Sequence, residues 1–117
     1  LAQAREEFAW VIGQSPSHVE AYYHLGQVLH RMGKEGQAQE VMAQRTKVYQ
    51  LIEKIGQADK RIREGEDIPT LWLEVVYGYL ELNDLRFAQD AVLQGVGRHP
   101  EDGALRVLAE KLLKGGV

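Results

Sequence analysis

The stretch YYHLGQVLHRMGKEGQAQEVM, from Tyr22 to Met42, decides the fold. Its apolar residues recur at helical spacing on both sides of a short turn at residues 33–36, which contains two glycines. Gly26 and Ala38 are small, so two antiparallel helices can approach closely there, and large residues such as Leu29 fill the space beside them. The stretch therefore predicts a pair of packed helices.

This pattern resembles the tetratricopeptide repeat, which places an aromatic residue and a Leu-Gly pair on its first helix and an alanine followed by a large residue on its second. Ala4 lies 34 residues before Ala38, which is the length of one such repeat. A second match begins at Trp72 but lacks the Leu-Gly pair. The residues that carry the resemblance are Ala4, Phe8, Pro16, Tyr22, Leu25, Gly26, Leu29, Ala38, Met42, Trp72, Val75, Val76, Tyr79, Ala88, Val92 and Pro100.

The resemblance implies an all-α protein whose antiparallel helix pairs form a short right-handed solenoid of about six helices. We expect one domain over residues 1–117. It comprises the second half of a truncated repeat (1–16), a repeat with an extended second helix (17–67), a further repeat (68–100) and a C-terminal capping helix (101–117). The chain opens inside a helical pattern, so we expect it to be a piece of a longer protein.

The extended second helix is predicted from about Glu35 to Glu64, because no proline interrupts the apolar spacing there. Gly56 is unfavourable in the interior of this helix. The alternative to one continuous helix is therefore a kink or a break at Gly56. The apolar seam of this helix has two interpretations. It could pack inside the chain or pair with the same helix of a second copy. The seam consists of Val48, Ile52, Ile55 and Ile62.

Local capping patterns predict where several helices begin. Ser17 with Glu20 has the spacing of a capping box for the second helix. Asp67 can cap the fourth helix, with Pro69 in its first turn. The last helix is expected to be amphipathic, with one apolar stripe formed by Leu105, Leu108, Leu112 and Leu113.

Composition excludes several classes of function. The net charge is −3 and the basic residues are scattered, which argues against a nucleic-acid surface. No apolar run approaches the roughly 20 residues of a membrane helix, so we expect no direct membrane insertion. Cysteine is absent from the sequence, which excludes disulfides and thiolate metal sites. Localisation stays undetermined.

No combination of residues suggests catalysis. His24 and His30 lie six positions apart, on opposed sides of a helix, and cannot share a metal without other ligands. His18 and His99 are predicted to be surface residues. We therefore expect no enzyme activity, no catalytic residue, no metal site and no cofactor.

The better candidate for function is a surface. In tetratricopeptide arrays the first helix of each repeat lines a concave groove that holds a partner, and the resemblance assigns that role here to nine residues. Leu73, Tyr77 and Leu80 form a second apolar face on the fourth helix, which either binds a partner or is buried by the extended helix. The predicted groove residues are Tyr23, Gln27, His30, Arg31, Thr70, Leu73, Tyr77, Leu80 and Glu81.

The resemblance thus implies a non-catalytic scaffold or adaptor that binds a peptide or helix of another protein. Some family members clamp a partner's C-terminal carboxylate with several cations. That role is not carried over, because Arg31 is the only strong cation on the predicted face. The alternative is a homo-oligomerisation module, such as a homodimer, that uses the long helix and the open N-terminal face.

Overall fold

The computed structural model describes residues 1–115 and confirms an all-α fold, with six α-helices and no strand in this range. Helices adjacent in sequence pack against each other, as α1 with α2, α4 with α5 and α5 with α6. A π-helical turn, Lys111–Gly115, follows the sixth helix. The helices are α1 Ala2–Gln14, α2 Val19–Arg31, α3 Glu35–Arg63, α4 Pro69–Glu81, α5 Leu85–Arg98 and α6 Gly103–Glu110.

The chain divides into two compact units, with the boundary between Gln50 and Leu51. Unit 1 contains α1, α2 and the first part of α3. Unit 2 contains the rest of α3 and the helices that follow. The predicted solenoid and the predicted repeat limits stay predictions.

Unit 1 is built around the predicted pair of helices. Leu25, Leu29 and Ala38 form a buried cluster, and Phe8 and Val41 pack against it together with neighbouring apolar side chains. The small residues allow the close approach that the pattern indicates. A Cβ atom at Gly26 would lie 2.9 Å from Sδ of Met42, which is closer than carbon and sulfur can pack without movement.

Unit 2 has its own core, in which Leu71, Val76, Val92 and Leu105 are almost completely buried. Here too a glycine allows two helices to meet. A Cβ atom at Gly78 of α4 would lie 2.5 Å from Cγ1 of Ile55 on α3. The second part of α3 is therefore packed within unit 2.

The long helix α3 is continuous through Gly56, so the predicted helix from Glu35 to Glu64 is confirmed to within one residue. Its seam is only partly inside the protein. Val48 and Ile55 are buried, whereas Ile52 keeps 38% of its surface exposed. Ile62 is half-buried.

Two predictions about helix ends were wrong. The N-cap of α2 is His18 rather than Ser17, and Nδ1 of His18 accepts a hydrogen bond from the Ala21 amide at 3.2 Å. The N-cap of α4 is Ile68, with no side-chain capping bond, because the Asp67 carboxylate bonds elsewhere. In the apolar stripe of the last helix, Leu105, Leu108 and Leu112 are buried, whereas Leu113 is exposed.

Candidate functional site

The predicted groove residues fall into two clefts, one in each unit. Tyr23, Gln27, His30 and Arg31 line a cleft in unit 1, which we call the first groove. The second groove, in unit 2, is lined by the predicted Thr70, Leu73, Tyr77 and Glu81 together with Leu51, Lys54, Glu74 and Gly78. Leu80 is half-buried and lines neither.

The first groove lies between α2 and the start of α3 and has a volume of about 390 Å³. Its floor consists of Gly26, Ala38 and Met42, where the two helices approach each other closely. The α2 wall arises from spacing, because positions 23, 27, 30 and 31 fall on one side of a helix. Glu35 and Gln39 of α3 complete the rim. The result is an apolar trough with polar edges.

Hydrogen bonds fix part of this rim. Nε2 of Gln27 donates to the Tyr23 hydroxyl at 2.9 Å. Nδ1 of His30 contacts a carboxylate oxygen of Glu35, which joins the end of α2 to the start of α3. Glu35, the acidic residue of the rim, is therefore already in contact with another side chain of the protein.

Arg45, one helical turn beyond the floor on α3, is not among the residues predicted for the groove. Its guanidinium carbon lies 5.3 Å from the Tyr23 ring centroid and 4.9 Å from that of Tyr49. These distances are typical of cation–π contacts. The four-residue step from Arg45 to Tyr49 was the available signal, whereas the contact with Tyr23 depends on the packing of α2 against α3.

The second groove shows how far α3 covers the apolar face of α4. Leu51 and Lys54 of α3 form one wall of the cleft, whose volume is about 280 Å³. Leu73 is half-buried there, but Tyr77 keeps 52% of its surface exposed. The apolar face of α4 was expected either to bind a partner or to be buried by the extended helix. In the structure α3 covers part of this face and leaves Tyr77 accessible.

A third cleft, about 550 Å³, occupies another side of unit 1. Leu25 and Leu29 lie at its base, and polar side chains of α1 and α3 surround it. None of the residues predicted for the groove lines it. This cleft did not figure in the sequence prediction.

The prediction that His99 is a surface residue was wrong. His99 is half-buried, and its Nε2 lies 2.7 Å from Oδ1 of Asp67. The same carboxylate accepts a hydrogen bond from Nε1 of Trp72 at 2.6 Å and pairs with Arg98. His24 stacks on Phe8, with 5.3 Å between ring centroids, so its ring contributes to packing in unit 1.

Within residues 1–115, no group of three or more His, Asp or Glu side chains is placed to hold a metal ion. No helix in that part of the chain has the length and apolarity needed to cross a membrane. The two grooves are thus the features that gather the predicted site residues. Compared with known proteins, the chain matches no family model, no curated protein and no solved structure.

Proposed function

We propose that the chain is a non-catalytic interaction scaffold that holds a peptide or helical segment of another protein in the first groove. The observation that carries this proposal is the cleft itself. Tyr23, Gln27, His30 and Arg31 share one wall above an apolar floor. An apolar trough with a polar rim suits a partner that buries one or two apolar side chains and satisfies its polar groups at the edges.

A tetratricopeptide relationship is part of the proposal. It is supported by the close approach at Gly26 and by the burial of Ala38, which are the positions where that repeat has small residues. The length of α3, 29 residues, departs from a standard repeat. The scaffold would therefore be a divergent one.

The second groove extends the proposal to unit 2. Tyr77 is an exposed aromatic side chain beside the half-buried Leu73, and aromatic side chains are enriched among the residues that dominate binding energy. Lys54, Glu74 and Glu81 provide charged edges for specificity. A partner could use either groove, and the two can be tested separately.

The test selects short random peptides against the immobilised chain and measures their affinities in solution. Gln39→Trp places a bulky ring on the rim of the first groove, and Gln50→Trp introduces the same ring at an exposed position of α3 outside the groove. We expect Gln39→Trp to weaken binding by roughly tenfold or more, since it fills the space of the ligand. Gln50→Trp should leave binding unchanged. Equal affinities for both variants would rule out the first groove.

Homo-oligomerisation is the alternative function, and exposed apolar side chains favour it. Trp10 of α1 has 66% of its surface exposed, and Ile52 of the α3 seam is also exposed. Light scattering over a wide concentration range separates the two functions. A dimer that Ile52→Glu converts into a folded monomer would support self-association through α3, whereas a monomer at every concentration would exclude it.

A further inference from the structure

The hydrogen-bonding capacity of Arg45 is largely unused. Its Nε–H is covered and has no acceptor within the described part of the chain. Its Nη2 makes one long hydrogen bond, 3.4 Å, to the hydroxyl of Tyr49. A guanidinium carries five N–H donors, and covered donors without acceptors are costly. Arg45 is therefore a cation that lacks a strong acceptor.

Two tyrosine rings hold this cation in place. Arg45 lies over the rings of both Tyr23 and Tyr49, so its side chain has little freedom left to lose when a ligand binds. A guanidinium stacked in this way presents its terminal N–H groups as a rigid fork, which matches the geometry of a carboxylate. Because Nε is covered, an acceptor would reach the two Nη groups.

The charges around the first groove favour an acidic ligand. Arg31 on the rim and Arg45 beside Tyr23 form no ion pair with any carboxylate of residues 1–115. The acidic residue of the rim, Glu35, is already in contact with His30. One cation without an ion pair thus lies on the rim of the first groove, and a second lies against Tyr23, which lines that groove. A ligand complementary to this surface combines an apolar side chain with a negative charge.

We propose that the first groove selects a partner segment in which an Asp or Glu side chain lies next to the apolar anchor, and that Arg45 binds that carboxylate. This inference rests on the proposed function and names the class of partner. Tyr23 connects the apolar groove with the cation, because it lines the groove and also contacts Arg45 through its ring.

The experiment uses the peptides selected against the whole chain. Each is resynthesised with its Asp or Glu changed to the corresponding amide, and separately with an amidated C-terminus. Affinities are measured by fluorescence anisotropy for the wild type, Arg45→Gln, Arg45→Lys and the control Lys47→Gln. Lys47 is an exposed cation on the same helix, two residues away and so on a different face.

We expect the amide peptides to bind roughly tenfold or more weakly to the wild type, and Arg45→Gln to lose the same factor for the acidic peptides only. Arg45→Lys should recover part of the affinity, since it keeps the charge without the fork. Lys47→Gln and amidation of the C-terminus should have little effect. Added salt should weaken binding of the acidic peptides.

Three outcomes would overturn the inference. If the acid and amide forms of a peptide bind with equal affinity, the carboxylate has no role and the inference fails. The proposed function would still stand if Gln39→Trp weakened the binding of those peptides. If only amidation of the C-terminus abolished binding, the carboxylate that Arg45 binds would be the terminal one and not that of an Asp or Glu side chain. Peptides insensitive to Gln39→Trp would reject both proposals. The acid-to-amide comparison needs no protein variant, so it decides the question even if Arg45→Gln fails to fold.

Discussion

Nε2 of His99 lies 2.7 Å from Oδ1 of Asp67, although 32 residues separate them in the sequence. Trp72 at the start of α4 donates to the same oxygen, and Nη2 of Arg98 lies 2.6 Å from Oδ2. A single carboxylate thus connects the beginning of α4 with the end of α5. The hydrogen bonds from Trp72 and His99, followed by that from Arg98, lower the pKa of Asp67 to about 2.

Acid should weaken unit 2 through Asp67. The pKa of this carboxyl is lower in the folded chain than its ordinary value of 3.8. Its contribution is therefore fully present above that value and is lost as the pH falls from about 4 to about 2. We expect Asp67→Asn to lower the free energy of unfolding at neutral pH and to converge with the wild type near pH 2. Urea unfolding at several pH values measures this.

The control for that experiment is Asp90→Asn, which removes a carboxylate from an exposed position of α5 without disturbing the Asp67 cluster. Its stability should follow that of the wild type at every pH. A constant difference between Asp67→Asn and the wild type down to pH 2 would contradict the role of the charged carboxylate.

Gly78→Ala should destabilise unit 2, because the added Cβ would lie 2.5 Å from Cγ1 of Ile55. Overpacking of this kind typically costs about 1–3 kcal/mol. Ile55→Ala removes the obstructing atoms, so the double variant should lose less stability than the sum of the two single changes. Denaturant unfolding of the four proteins gives this coupling energy, and strict additivity would show that the two residues do not compete for the same space.

Gly56→Ala should have the opposite effect. Gly56 lies inside α3, and a Cβ there would meet no atom within 4 Å beyond its chain neighbours and the adjacent backbone of its own helix. Alanine favours the helix over glycine by about 1 kcal/mol, so the free energy of unfolding should rise by that amount. Gly65→Ala is the contrasting variant. Gly65 has a φ of 108°, which side-chain-bearing residues rarely adopt, and this change should destabilise. Thermal melts followed by circular dichroism compare the two.

Ile52 and Ile55 should respond differently to a charge. Ile52 is exposed, so Ile52→Glu should change the free energy of unfolding by no more than about 0.5 kcal/mol. Ile55 is buried against α4, and Ile55→Glu should cost several kcal/mol, because the carboxylate loses its water without gaining a partner. Equal stability of the two variants would show that the inward side of α3 is assigned wrongly.

Much of the helical framework follows from the sequence, because the turns contain strong local signals. Asn83 has a φ of 59°, and Asp84 caps α5, which is typical of an Asn-Asp pair between two apolar helical patterns. The start of α2 at Val19 was harder to predict from the sequence, since histidine is a less common N-cap than the neighbouring serine. Asp67 was misassigned as a cap because its partners, Trp72 and His99, come together only in the folded chain.

The site was predictable only in part. The four α2 residues of the first groove share one side of a helix, which spacing alone indicates. The sequence did not indicate that the predicted groove residues line two clefts and not one, because this depends on which stretch of α3 each helix packs against. Arg45 was missed for a similar reason. Its position over Tyr23 depends on tertiary packing, which spacing along one helix does not indicate.

The environments of the two tryptophans have a practical consequence for spectroscopy. Trp10 in unit 1 is largely exposed, whereas Trp72 in unit 2 is 8% exposed with its indole N–H bound to a carboxylate. Trp10 should therefore emit at long wavelength and be quenched readily by acrylamide, while Trp72 should emit further to the blue and be shielded. The chain carries a natural optical reporter in each unit, so loss of structure in either one can be followed without a label.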